Sequence, residues 1–194
     1  MRIVLATRNA GKIAELRRIL SGFEIVGLEE FPEIGDVKET GLTFAENALL
    51  KAHAVAQQSG LPAVADDSGL CVDALNGMPG VFSARWSGTH GDDKANLNLL
   101  LAQISDVPDE HRGGSFVCAA ALALPSGVER VVEGVLPGTV IGAPRGSNGF
   151  GYDPIFVPEG DARTTAELTA DEKDAISHRG RAFRALSPIV AELL

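Results

Sequence analysis

Arg2-Ile3-Val4-Leu5-Ala6, Thr7-Arg8-Asn9-Ala10-Gly11, and then Ile13, Leu16, Ile19 and Leu20 at helical spacing open the chain. The first block is aliphatic and β-branched, as a buried strand requires. The second has the short polar residues and glycine of a turn. The third puts its apolar residues on one helical face. A strand leading through a polar turn into a helix, with a second strand predicted over Phe23–Leu28, points to an α/β fold.

The pattern continues outward from there. Glu29–Gly41 is acidic, holds Pro32, and is expected to be a loop. Thr43-Phe44-Ala45-Glu46 fits a capping box opening a helix that runs to about Ser59, with Gly60 as its stop. Ala63–Ala65 is a short apolar strand delivering Asp66 and Asp67, and extended structure resumes at Cys71 and Val72. Asp92 or Asp93 is placed to cap a helix running to Ile104. Ser115–Leu124 and Val128–Leu136 flank Pro125-Ser126-Gly127 as a β-hairpin. A strand is expected over Ile155–Val157. Ser177 opens a last helix that Pro188 kinks or restarts. Helices alternating with strands early and a hairpin late predict a mixed sheet. There is no internal repeat or separating linker, so residues 1–194 are taken as one domain.

The chain has 194 residues and a formal net charge of -9, which argues against a general nucleic-acid surface. A small polyanion remains a feasible ligand if a metal or a few cations reverse the sign locally. Cys71 and Cys118 are the only cysteines, too few for a disulfide framework or a zinc-ligand set. The start is too short for a signal sequence and no run is long enough to span a bilayer, so a soluble, cytoplasmic protein without membrane partners is expected.

Four segments carry residue types suited to chemistry. Thr7-Arg8-Asn9-Ala10-Gly11-Lys12 leads into a helix N-terminus, whose N–H groups and dipole suit phosphate oxygens. It is not a Walker A loop, because Ala6 and Ile13 stand where that motif needs glycine and a hydroxyl residue. Asp66-Asp67-Ser68-Gly69 ends an apolar strand with two carboxylates. A divalent cation with oxygen preference, such as Mg²⁺, would offset their burial. Neighbouring strand side chains face opposite ways, so the two are not equivalent unless the backbone turns. Taken alone the segment better suits a solvated turn. In Gly149-Phe150-Gly151-Tyr152-Asp153-Pro154, Phe150 has the flat face to stack on a base, and Asp153 can bond its edge or the sugar. Lys173 and Ser177-His178-Arg179-Gly180 gather cations in an acidic protein, one helical turn apart if the helix is continuous. A phosphate cradle, a metal carboxylate, a stacking loop and a cationic cluster are together what a nucleotide needs.

These segments, with Gly41-Leu42-Thr43-Phe44-Ala45-Glu46-Asn47-Ala48 and Pro79-Gly80-Val81-Phe82-Ser83-Ala84-Arg85, occur in an order that resembles the inosine/xanthosine triphosphate pyrophosphatase family over nearly the whole chain. The resemblance implies an elongated mixed β-sheet flanked by helices, with two lobes and a central substrate cleft, and a homodimer. It implies Mg²⁺-dependent hydrolysis of ITP, dITP and XTP to the monophosphate and pyrophosphate. By motif, Thr7, Arg8, Asn9, Ala10, Gly11 and Lys12 hold the triphosphate. Asp67 is proton acceptor and metal ligand, Glu39 a second metal carboxylate, and Ser68 a substrate contact. Phe150, Gly151, Tyr152, Asp153, Lys173, His178 and Arg179 contact the nucleotide. Asp66 receives no role. Arg8 departs from the glycine frequent at its position, and either crowds the phosphate loop or adds a contact. Two other readings use the same residues: a Maf-like pyrophosphatase acting on other modified nucleotides, and a non-catalytic nucleotide sensor that needs neither Asp67 nor Mg²⁺.

Overall fold

The computed structural model describes residues 2–20 and 22–194, with the side chains at Ala10, Gly11, Glu15 and Arg18 outside the description. The opening block forms strand β1 (Arg2–Leu5) and helix α1 (Ala10–Ile19). Strand β2 is confined to Glu24–Val26, because the chain turns into a 3-10 helix at Leu28–Glu30. Helix α2 (Phe44–Ser59) has the predicted ends: Thr43 and Glu46 form a full capping box, and Gly60 closes the helix in the left-handed region at φ 69°.

Strand β3 (Ala63–Val72) overturns the turn reading of Asp66-Asp67-Ser68-Gly69, since it runs unbroken through all four residues. Aspartate, serine and glycine are poor strand formers, but pairing and burial override propensity here. Beyond it lie β4 (Met78–Pro79) and a 3-10 turn at Gly80–Arg85. Helix α3 (Asp93–Gln103) is capped by Asp92. Strands β5 (Gly113–Ala123) and β6 (Glu129–Val140) are the expected hairpin, each longer than predicted. Strand β7 (Phe156–Pro158), α4 (Ala170–Ile176) and α5 (His178–Leu193) complete the chain. Ser177 ends α4 in extended conformation, so Lys173 and His178 stand on different helices rather than on one. Helix α5 continues past Pro188 to Leu193, where a restart was allowed for.

The sheet order is β2-β1-β3-β5-β6-β7, with β4 paired to β3. β1 is parallel to β2 and β3, while β4 and β7 are antiparallel to their neighbours, giving the expected mixed sheet with helices. Contacts divide the chain into two compact units. The first comprises Met1–Asp67, Cys118–Gly134 and His178–Leu194, and the second Ser68–Val117 and Val135–Ser177.

Two apolar layers cover the sheet of the first unit. Val4, Ala63, Ala65, Ala119 and Ala121 pack with Ala48, Ala52, Val55 and Ala56 of α2. Ile3, Leu5, Val64, Ala120 and Leu122 pack with Leu16 and Leu20 of α1 and with Phe183, Leu186 and Val190 of α5. Strand alternation therefore assigns odd positions of β3 to the α2 side and even positions to the α1 and α5 side. At Gly134 of β6 the helix comes so close that an added Cβ would lie 2.1 Å from the His178 carbonyl, so glycine sets the seat of the α5 N-terminus. The second unit has its own core, where Leu70 and Val72 meet Leu97 and Leu100 of α3 and Ile104 just after it, together with Leu136, Val140, Tyr152 and Phe156.

Candidate active site

The alternation of β3 continues into its carboxylates. Asp66 follows Val64 to the α1 and α5 side, where its side chain is fully buried. Lys12 Nζ lies 2.9 Å from its Oδ2, and Arg179 Nε donates to the same oxygen at 3.1 Å. Burial pushes this carboxyl up, but Lys12, Arg179 and Lys51 together hold it far below the usual carboxylate range. The residue left without a role is thus the buried anchor for two cations that the sequence assigned to substrate.

Asp67 follows Ala63 and Ala65 to the α2 side. Asn47 Nδ2 donates to its Oδ2 at 3.0 Å, and Lys51 Nζ lies 3.8 Å from Oδ1. Lys51 also holds Glu39 at 2.6 Å. Burial, then opposed by Lys51 and reinforced by the Glu39 charge, leaves the Asp67 carboxyl above its ordinary value. Burial pulls Lys51 down, but Asp67, Asp66 and Glu39 leave it raised and so protonated. Asn47 Oδ1 accepts the Gly41 N–H at 2.8 Å, which fastens the end of the Glu39 loop to the helix. Asn47 and Lys51 went unassigned in the sequence. The signal was present: two polar residues one turn apart on the α2 face that otherwise presents Ala48, Ala52 and Val55 to the core.

The phosphate-loop side chains build the helix start. Asn9 caps α1 by accepting the Lys12 N–H at 3.1 Å, and Thr7 Oγ1 accepts the Asn9 N–H at 3.2 Å. Ala10 and Gly11 contribute the main chain of the first turn; their side-chain positions fall outside the described residues. Arg8 neither crowds this loop nor points along it. Its guanidinium donates to the Ile34 carbonyl at 2.5 Å and to Asp36 at 3.1 Å. It ties the cradle to the acidic loop that carries Glu39.

In the second unit, Phe150 and Gly151 are partly exposed, whereas Tyr152 and Asp153 are buried. The Tyr152 ring joins the core and its hydroxyl donates to the Ser83 carbonyl at 2.9 Å. Asp153 Oδ1 accepts Thr165 Oγ1 at 2.8 Å, while Oδ2 takes the Phe150 N–H at 2.8 Å and Lys173 Nζ at 2.5 Å. Gly149 has φ 75°, and an added Cβ would sit 2.1 Å from Asp153 Oδ2, so the carboxylate has room only beside glycine. Lys173 lies 5.0 Å from the centroid of the Phe150 ring, a cation–π contact. Asp153 thus organises the loop by joining Phe150, Thr165 and Lys173. Ser68 is partly exposed, and Ser177, His178 and Arg179 are buried.

Glu39 and Asp67 are the two carboxylates here that could hold a metal. Glu39 and Asp67 already share a cation in Lys51. Among the described residues no group of three or more His, Cys, Asp or Glu side chains forms a closed cage. That donor chemistry suits Mg²⁺, which takes one or two carboxylates and completes its shell with waters and substrate phosphates.

The chain is similar to known proteins over nearly its whole length. The Ham1 family model matches residues 3–189. A dITP/XTP pyrophosphatase from Streptomyces coelicolor is 71% identical over 197 aligned positions, covering 100% of this chain and 98% of that protein. One from Mycobacterium bovis is 55% identical, covering 99% and 96%. The crystal structure of a nucleoside-triphosphatase / dITP/XTP pyrophosphatase from Mycobacterium abscessus superposes with a TM-score of 0.80 at 61% identity, covering 97% of this chain and 100% of that one. A HAM1 protein from Coxiella burnetii gives 0.89 at 44% identity, covering 99% of each chain. With the whole length matched, the chain belongs to the Ham1 family.

Proposed function

We propose that this chain hydrolyses the non-canonical purine nucleoside triphosphates ITP, dITP and XTP to the monophosphate and pyrophosphate, with residues 1–194 acting as one catalytic domain. The observation that carries the reading is Asp67, a buried carboxylate with a raised pKa, placed against Glu39, Lys51 and Asn47. A group of this kind accepts a proton from water while neighbouring cations neutralise phosphate charge. Water forms its bond to the α-phosphorus, the bond to the bridging oxygen of the β-phosphate breaks, and the water proton passes to Asp67. Lys12 and Lys51 face the phosphate oxygens of substrate and leaving pyrophosphate. Glu39 and Asp67 would hold Mg²⁺, which when bound supplies further charge neutralisation at those oxygens. The loop at Phe150 and Gly151, with Lys173 beside the ring, takes the base. A donor at O6 favours hypoxanthine and xanthine over adenine, and guanine is rejected at its 2-amino group by several contacts, since one unpaired polar group costs only about 1–3 kcal/mol.

The same reading makes the chain a cytoplasmic homodimer. Among the described residues no helix is long and apolar enough to cross a membrane. A light-scattering mass twice the 20.3 kDa of one chain checks the assembly. The function is tested with ITP, XTP, dUTP, ATP and GTP, with and without Mg²⁺, scoring pyrophosphate against orthophosphate. Pyrophosphate from ITP and XTP only with Mg²⁺ is the expected result. Orthophosphate release, or equal kcat/KM for ITP and GTP, overturns it.

A further inference from the structure

Asp92 and Asp93 stand together at the start of α3, but only one of them serves the helix. Asp92 Oδ1 accepts the Ala95 N–H at 3.0 Å and is the cap. Asp93 instead accepts the N–H of Gly151, 58 residues away, at 2.8 Å. That N–H belongs to the residue after Phe150, whose own N–H is held by Asp153 at 2.8 Å. The two peptide groups that set the direction of the Phe150 ring are therefore each fixed by a carboxylate.

The support behind Asp93 is firm. Asn96 of α3 accepts the Ser87 N–H at 2.7 Å and its hydroxyl at 2.8 Å, and donates to the Ala84 carbonyl at 3.2 Å. This locks the helix to the 3-10 turn at Gly80–Arg85. The same turn receives the Tyr152 hydroxyl at Ser83, whose own hydroxyl accepts the Leu70 N–H at 2.9 Å. Burial, and after it the Asp93 charge, pushes the Tyr152 phenol up, which keeps it a donor. Asp93 thus reaches the loop from an element that the loop itself also grips.

We propose that Asp93 is a positioning residue for the base-binding loop, holding the Gly151 peptide so that Phe150 is presented to the purine in a fixed plane. This rests on the nucleotide reading of the preceding subsection. The test compares Asp93→Ala and Asp93→Asn with the wild-type chain in ITP kinetics and in calorimetric binding of IMP and of pyrophosphate. Asp93→Ala is expected to raise KM for ITP and Kd for IMP about three- to tenfold, the weight of one hydrogen bond, with kcat and pyrophosphate affinity within about twofold. Asp93→Asn keeps an acceptor oxygen and is expected to restore both constants to near wild type. Unchanged KM and IMP affinity in Asp93→Ala, equal losses for IMP and pyrophosphate, or failure of Asp93→Asn to rescue would each overturn the proposal. Failure of the wild-type chain to turn ITP into IMP and pyrophosphate would instead overturn the reading beneath it.

Discussion

Asp66 and Asp67 are neighbours on one strand with the same side chain, yet their surroundings treat the charge in opposite ways. On the α1 and α5 side, Lys12 and Arg179 converge on Asp66 and favour its ionised form. On the α2 side, burial and Glu39 disfavour the charge of Asp67, and Lys51 with Asn47 only partly compensates. A pleated strand separates the two by a half-turn of side-chain direction, enough to lower the pKa of one carboxyl and raise that of the other. Linkage gives them opposite signs. The stability from Asp66 is fully present above the ordinary carboxylate pKa and is lost as pH falls toward its much lower folded value. Asp67, with a raised folded pKa, favours the fold more as pH falls through that value.

The contrast is most open to attack at Asp67 itself. Asp67→Asn should lower kcat by about 10²–10⁴, the worth of a positioned proton acceptor, while the melting temperature holds or rises. Near-normal turnover in steady-state kinetics would end the assignment. Asp66→Asn should do the reverse. It leaves two cations facing a neutral amide and should cost about 3–5 kcal/mol in urea unfolding, as for breaking a buried pair. Lys51→Met removes a cation from both Glu39 and Asp67 and should cost about 10² in kcat. It should also move the acid limb of the pH–rate profile upward, because the charge lowering the Asp67 pKa is gone. Glu39→Gln sharpens the comparison by moving that limb downward, since the like charge raising Asp67 is removed, and it should weaken Mn²⁺ binding by the free protein in spin-resonance titration. The smallest effect belongs to Arg8→Gly: it loses an exposed ion pair with Asp36, worth about 0–1 kcal/mol, and one hydrogen bond to the Ile34 carbonyl, worth about 0.5–1.5 kcal/mol, so stability in urea unfolding should fall by about 1–2 kcal/mol.

The sequence made the local frame legible, because strand, turn, cap and hairpin signals depend on near neighbours. Thr43, Glu46 and Gly60 bound α2 as read, and the Pro125-Ser126-Gly127 turn joins β5 to β6. Asp67 was singled out by motif, and the structure surrounds it with charged partners. What escaped depended on distant partners. Nothing within a few residues of Asp66 shows that Arg179 lies against it, 113 positions later. The strand at Asp66-Asp67-Ser68-Gly69 runs against propensity and is set by burial between two layers. Nothing adjacent to Tyr152 shows that its ring turns into the core and its hydroxyl reaches Ser83, 69 positions earlier.

The internal pairing of cations has a kinetic consequence. Lys12 and Arg179 share Asp66, Lys51 rests on Glu39, and Lys173 on Asp153, so each of these cations already touches a carboxylate of the chain. On a molecule of net charge -9, little attractive field extends into solvent to draw in a polyanion. Capture of a triphosphate then proceeds by short-range exchange of one anion for another, not by long-range steering. Its association rate should rise modestly between low and physiological ionic strength, as salt screens the repulsion between like net charges, and abundant phosphorylated bystanders gain no advantage from charge alone.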